Sequence, residues 1–124
     1  MDRITFEPAI GAPHWPWSDL GVYVVGSTRP PGTPGRVVVD PDPARLLERL
    51  GRDNRGGDVH LVGGPSTVET FRALGALDEM RFLVLPMLGG GRRLTPEVSA
   101  GTGLSLVESV SWPNDVVELV YAVT

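Results

Sequence analysis

The stretch from Asp58 to Asp78, DVHLVGGPSTVETFRALGALD, constrains the chain most, because it sets an apolar run, a glycine pair and a helix-forming segment in immediate succession. Val59, Leu61 and Val62 read as a short buried strand that ends abruptly on Gly63-Gly64. Pro65 is pre-set for the first turn of a helix, Ser66 or Thr67 can supply a capping oxygen, and Ser66 with Glu69 matches the S/T-x-x-E capping pattern. Val68, Phe71, Ala73 and Leu74 fall on one helical face, and Gly75 suits a C-terminal stop. Strand, glycine pair and helix N-terminus together bring bare backbone N–H groups to a strand's carboxyl end, where an anionic ligand can approach. A tight strand-to-helix turn without a ligand has the same local sequence.

Before this stretch, Arg3, Thr5, Phe6 and Glu7 read as the tail of something, with no complete element preceding them, and Ala9 to Asp19 as a Gly- and Pro-rich loop with Trp15 and Trp17 as aromatic anchors. His14 in that loop has no second histidine or carboxylate cluster to complete a site, which favours a surface or packing role. Leu20 to Val25 reads as a buried strand running into Gly26-Ser27-Thr28-Arg29, where two hydroxyls and a guanidinium fork could grip a phosphate or simply form an exposed turn. Arg36 to Val39 reads as a strand. Asp40-Pro41-Asp42-Pro43 leads a helix with Leu46, Leu47 and Leu50 inside and Arg45, Glu48 and Arg49 outside. Arg81 to Leu85 reads as a further buried strand, closed by Pro86 and followed by the turn Gly89-Gly90-Gly91-Arg92-Arg93, whose arginines could steer an anion or lie solvated. Leu104 to Ser111 and Val116 to Val123 alternate about Pro113-Asn114-Asp115 and predict an antiparallel hairpin. The order predicts an α/β fold of three layers, with a mixed, mostly parallel sheet flanked by helices and a C-terminal antiparallel hairpin.

At 124 residues the chain reads as a single domain. It has no cysteine, so disulfides, thiol catalysis and thiolate metal sites are excluded, and no metal site is expected. No apolar run is long enough for a membrane span and no signal-peptide core is present, which makes cytoplasmic placement the default. The net charge of −4 carries no basic block, so neither nucleic acid nor membrane is expected as a partner. All eleven basic residues are arginine, which excludes a Schiff-base or P-loop lysine.

The segment LVGGPSTVETFRALGALDEMRFLVLPMLGGGRRL resembles the reductase family that includes dihydrofolate reductases and the C-terminal reductase domain of the riboflavin biosynthesis deaminase-reductase. Gly63-Gly64, the Leu77-Asp78-Glu79 helix end, Pro86 and the Gly89 to Gly91 turn stand in that family's order, and Asp2-Arg3-Ile4-Thr5-Phe6-Glu7 resembles its G-R-x-T-[FY]-E segment. The resemblance implies an NADPH-dependent reductase acting on a small heterocyclic substrate, pteridine- or pyrimidine-like. It implies that Gly63 and Gly64 lie against the nicotinamide and diphosphate, often joined by a cis peptide, and that Pro65, Ser66 and Thr67 set a helix N-terminus on the diphosphate. Ser27, Thr28 and Arg29 would hold the 2′-phosphate, with Arg3 and Thr5 near the cofactor's phosphates.

The chain departs from the family pattern in three ways. Asp2 replaces the usual glycine and sets a carboxylate where a phosphate is expected. Val62 stands where the riboflavin branch has glutamate, and the family's first strand and helix lie upstream of Asp2. An N-terminally incomplete domain is therefore expected, with the open sheet edge covered in a homodimer. The catalytic residues are not legible. Glu7, Asp78 and Glu79 read as caps or solvated charges, and the alternative reading is a non-catalytic remnant or nucleotide-binding module of the same fold.

Overall fold

Asp2 starts the first regular element. In the computed structural model, which describes residues 1–91, 93–94 and 101–124, α1 spans Arg3–Ile10 and Asp2 is its N-cap, accepting a hydrogen bond from the Thr5 backbone N–H. Arg3 to Glu7, which read from sequence as the tail of something, form the body of this helix. Pro8 inside the helix removes the bond to the Ile4 carbonyl, but Ile4 is 80 % exposed and water can take that carbonyl. Phe6 is fully buried, and Trp15 packs edge-on against it with Trp17 edge-on behind, so the expected aromatic anchors do fasten the 11–19 loop.

Two short parallel strands follow, β1 (Tyr23–Val25) and β2 (Val38–Asp40), paired Tyr23 to Val38 through Val25 to Asp40. Met1 and Asp2 extend this ladder by one bridge on the other edge of β1: the Met1 amine donates to the Tyr23 carbonyl and Val25 N–H to the Met1 carbonyl. Phe6, Val22, Val24 and Val37 form the core of this half, with Ile10, Trp15, Trp17 and Val39 packed on it. Helix α2 (Pro43–Asp53) is capped by the Asp42 side chain, which accepts from the Ala44 and Arg45 N–H groups. Leu46 is buried, Leu47 and Leu50 are half-buried and Arg45, Glu48 and Arg49 are exposed, as the sequence predicts.

The segment 58–62 forms no strand, and Val59 and Val62 are 54 % and 43 % exposed. That corrects the buried-strand reading of this segment. Apolar composition makes a strand only where a neighbouring backbone completes the ladder, and among the described residues none pairs with it. Among the described residues the expected single, mostly parallel sheet is accordingly two sheets, with parallel pairing limited to β1, β2 and the Asp2–Val25 bridge. Helix α3 (Pro65–Ala73) buries Phe71 and half-buries Val68, but Ala73 and Leu74 are exposed. Gly75 ends it in the left-handed region at φ +69°, where glycine is favoured.

The second sheet is antiparallel, in the order β3 (Glu79–Val84), β5 (Val117–Val123), β4 (Leu104–Ser111), with an irregularity between Leu106 and Glu108. The C-terminal hairpin thus matches its expectation, and its turn takes Asp115 into positive φ. The Arg72 guanidinium ties α3 to the start of β4 through the Thr102 hydroxyl at 2.6 Å while pairing with Glu69. Glu69 therefore answers Arg72 rather than completing a capping box with Ser66. The strand around 81–85 is not buried as expected: Leu83 and Leu85 are more than half exposed. Among the described residues no helix is long and apolar enough to cross a membrane.

Candidate functional site: two helix N-termini joined by Asp2

Helices α1 and α3 begin side by side, and one carboxylate serves both. Asp2 Oδ1 accepts from the Thr5 N–H at 2.7 Å, while Oδ2 accepts from the Gly64 N–H at 2.8 Å and from the Thr67 hydroxyl at 3.1 Å. Gly64 is the N-cap residue of α3 and has no side chain to offer, so the cap arrives from a residue distant in sequence. Neither Ser66 nor Thr67 caps α3, contrary to expectation. The Ser66 carbonyl accepts from Thr70, and the Thr67 hydroxyl turns to Asp2.

Burial opposes the charge on Asp2, but hydrogen bonds from Gly64, Thr5 and Thr67 outweigh it and hold the carboxyl down at about 2. The positive ends of two helix dipoles act in the same direction. Close packing also explains the first glycine of the pair. A Cβ at Gly63 would lie 2.9 Å from Asp2 Oδ2 and 3.1 Å from the Thr67 methyl, whereas one at Gly64 would lie 3.8 Å from the same oxygen. The described backbone has no cis peptide, so Gly63 and Gly64 are joined by a trans bond.

The remaining residues singled out in the sequence fall nearby or are otherwise engaged. Arg3 stands at the first position of α1, paired with Glu7 at 3.5 Å on the surface. A Cβ at Gly26 would lie 3.9 Å from Arg3 Cβ, so the carboxyl end of β1 and the start of α1 are adjacent. Ser27 and Thr28 are exposed just beyond that end. The Arg29 guanidinium folds back on its own loop instead, donating to the Val37 carbonyl at 2.7 Å and to the Pro34 carbonyl. Pro65 occupies the first turn of α3 and Ser66 is exposed beside it. His14 is exposed, as are Asp78 and Glu79, while Arg92 lies outside the described residues. The structure therefore brings Thr5, Gly63, Gly64 and Thr67 onto Asp2, sets Arg3 beside the Gly26 end of β1 that leads to Ser27 and Thr28, and directs Arg29 elsewhere.

Asp2 is the residue that sequence reasoning undervalued. Its spacing to Thr5 is that of a helix N-cap to its third residue, a local signal for the bond to the Thr5 N–H. Its bonds to Gly64 and Thr67 join residues far apart in sequence, and local pattern cannot reveal them.

Residues 23–118 match the model of the RibD C-terminal domain family. The Bacillus subtilis (strain 168) protein YyaP is 37 % identical over 79 residues, which are 61 % of this chain and 42 % of YyaP. A protein of Shewanella sp. PV-4 described as a riboflavin biosynthesis protein superposes with a TM-score of 0.79 at 22 % identity, covering 100 % of this chain and 72 % of its own. Acinetobacter baumannii RibD superposes at 0.64 and 22 % identity over 83 % of this chain and 31 % of its own length. A pyrimidine reductase-like protein of Corynebacterium diphtheriae gives 0.63 and 20 % identity over 93 % of this chain and 54 % of its own. These structures share an α/β fold with this chain, which spans less than half of YyaP and less than a third of the Acinetobacter protein.

Proposed function

This chain belongs to the RibD C-terminal domain family, and from that membership we propose that it is an NADPH-dependent reductase domain acting on a small heterocyclic substrate, pteridine- or pyrimidine-like. The observation that carries the proposal is the convergence of the Thr5 N–H, the Gly64 N–H and the Thr67 hydroxyl between two helix N-termini. Such donors suit the diphosphate of a dinucleotide in kind, and all three are held by Asp2. NADPH, when bound, supplies a hydride; the chain's own residues bind and orient it. In this reading Gly63, Gly64, Pro65, Ser66 and Thr67 line the diphosphate, and Ser27 and Thr28, beside Arg3, receive the 2′-phosphate. Arg29 joins them by releasing the Val37 and Pro34 carbonyls.

Calorimetric titration with NADPH and NADH tests this directly. The expected result is binding of both with NADPH the tighter. Binding of neither overturns the cofactor assignment. The grip of Asp2 on the donors favours a second reading, a nucleotide-binding or non-catalytic domain of the same fold. Tight NADPH binding without turnover of any pteridine or pyrimidine substrate would select it.

A further inference from the structure

Three donors that a diphosphate could use, the Thr5 N–H, the Gly64 N–H and the Thr67 hydroxyl, are already bonded from within the chain. An N-cap requires a single oxygen, and Asp2 gives one to Thr5. The second oxygen goes across to α3, where it takes the Gly64 N–H and the Thr67 hydroxyl. Serine or threonine at this position could cap α1 as well, but neither has a second oxygen for α3. The bareness of Gly63 has the same origin: the group that approaches it within 2.9 Å of a would-be Cβ is the Asp2 carboxylate itself. The glycine pair therefore fits an internal anion without any ligand.

We infer that Asp2 is a specificity-determining residue that acts as a resident anion, so that a diphosphate gains the Gly64 and Thr67 donors only when the carboxylate gives them up. The inference rests on the site assignment made above, but it concerns bonds within the protein. Two negative groups cannot share these donors, because each needs the same N–H and hydroxyl and each repels the other at contact distance. Asp2 bonded to Gly64 and Thr67 consequently weakens any phosphate-bearing ligand here. A neutral residue at the same place removes the repulsion, and one without a second acceptor oxygen also frees the α3 donors.

The test compares the wild-type chain with Asp2→Ser, which keeps an α1 cap but cannot reach α3, and with Asp2→Asn, which keeps the volume and loses the charge. Each folded protein, checked by circular dichroism, is titrated calorimetrically with inorganic diphosphate and separately with NADPH. Both variants are expected to bind inorganic diphosphate at least about tenfold more tightly than the wild type, a change of about 1.4 kcal/mol or more. Diphosphate binding that is unchanged or weaker in the folded variants, or undetectable in all three proteins, overturns the inference. NADPH separates the two claims. If the variants gain diphosphate affinity while no protein binds NADPH, the resident-anion role of Asp2 stands and the cofactor assignment falls. If the wild type binds NADPH tightly and the variants gain nothing for either ligand, the cofactor assignment stands and the role of Asp2 falls.

Discussion

The two halves of the molecule treat their apolar residues in opposite ways. The half built on α1, β1, β2 and α2 buries what it has: Phe6 and Val24 are sealed, and Val22, Val37 and Leu46 are nearly so. The half built on β3, β5 and β4 leaves Leu83, Val84, Leu106 and Val107 more than half exposed, and among its described strand residues Val120 alone is buried. Composition does not separate the halves, since both contain apolar strands. Coverage does. In the first half a helix and the anchored tryptophans close over the strands, whereas the second is a three-stranded antiparallel sheet whose exposed side chains meet no such cover among the described residues.

The largest effect should come from attacking this contrast at its extremes. Phe6→Ala empties the centre of the first core and should cost about 3–5 kcal/mol, read by chemical denaturation. Leu83→Ala, at a site already 63 % exposed, should stay within about 0.5 kcal/mol in the monomer. Comparable losses at the two sites would break the comparison. A homodimer, which we propose as the arrangement that covers the exposed sheet, would sharpen it. Sedimentation should show a dimer that Leu83→Asp converts to monomer, and a wild-type monomer at every concentration would remove the proposal.

Next in size is Gly63→Ala. The added Cβ would press on the Asp2 oxygen and the Thr67 methyl, and the loss should be about 1–3 kcal/mol, whereas Gly64→Ala has room and should cost less. Because the shortest contact is with Asp2 while those with Thr67 remain, part of the loss should disappear in an Asp2→Gly background. A double-mutant cycle measures that recovery, and strict additivity would place the strain elsewhere.

Asp2 also predicts acid sensitivity with a definite sign. Its carboxyl titrates at about 2 when folded, below its ordinary 3.8, so the ionised form is the one folding favours. Its contribution is complete above about pH 4 and is lost as pH falls through 2. The lost stability should be on the order of 1–2 kcal/mol at this partly exposed site, and it should be missing from Asp2→Asn. Parallel pH–stability curves for wild type and variant between pH 4 and pH 2 would contradict the bonds to Gly64 and Thr67.

Much of this was legible before the structure and the rest fails for identifiable reasons. The face of α2, the C-terminal hairpin and the Gly75 stop depend on residues within a few positions of one another, and all three emerge as expected. The strand expected over 59–62 does not form, because a strand depends on a neighbour that sequence periodicity cannot supply. In the site, the glycine pair and helix start were legible as an anion-facing turn. The anion that faces them was not, because it is a side chain from the other end of the sequence.

Arg29 combines a small expected change in stability with the most selective one in binding. Its guanidinium staples the loop by donating to two carbonyls, one part-buried and one exposed, and each such bond contributes about 1 kcal/mol or less. Arg29→Ala should therefore cost no more than about 2 kcal/mol in denaturation. If Arg29 leaves those carbonyls for the 2′-phosphate, the substitution should weaken NADPH by tenfold or more, the scale of a lost charge-assisted contact, and leave NADH nearly unchanged. Equal weakening of the two would instead mean that the residue shapes the 30–37 loop and touches no phosphate, leaving the choice between cofactors to Ser27, Thr28 and Arg3. The two outcomes differ because only one cofactor carries the extra phosphate, and a merely structural staple cannot tell them apart.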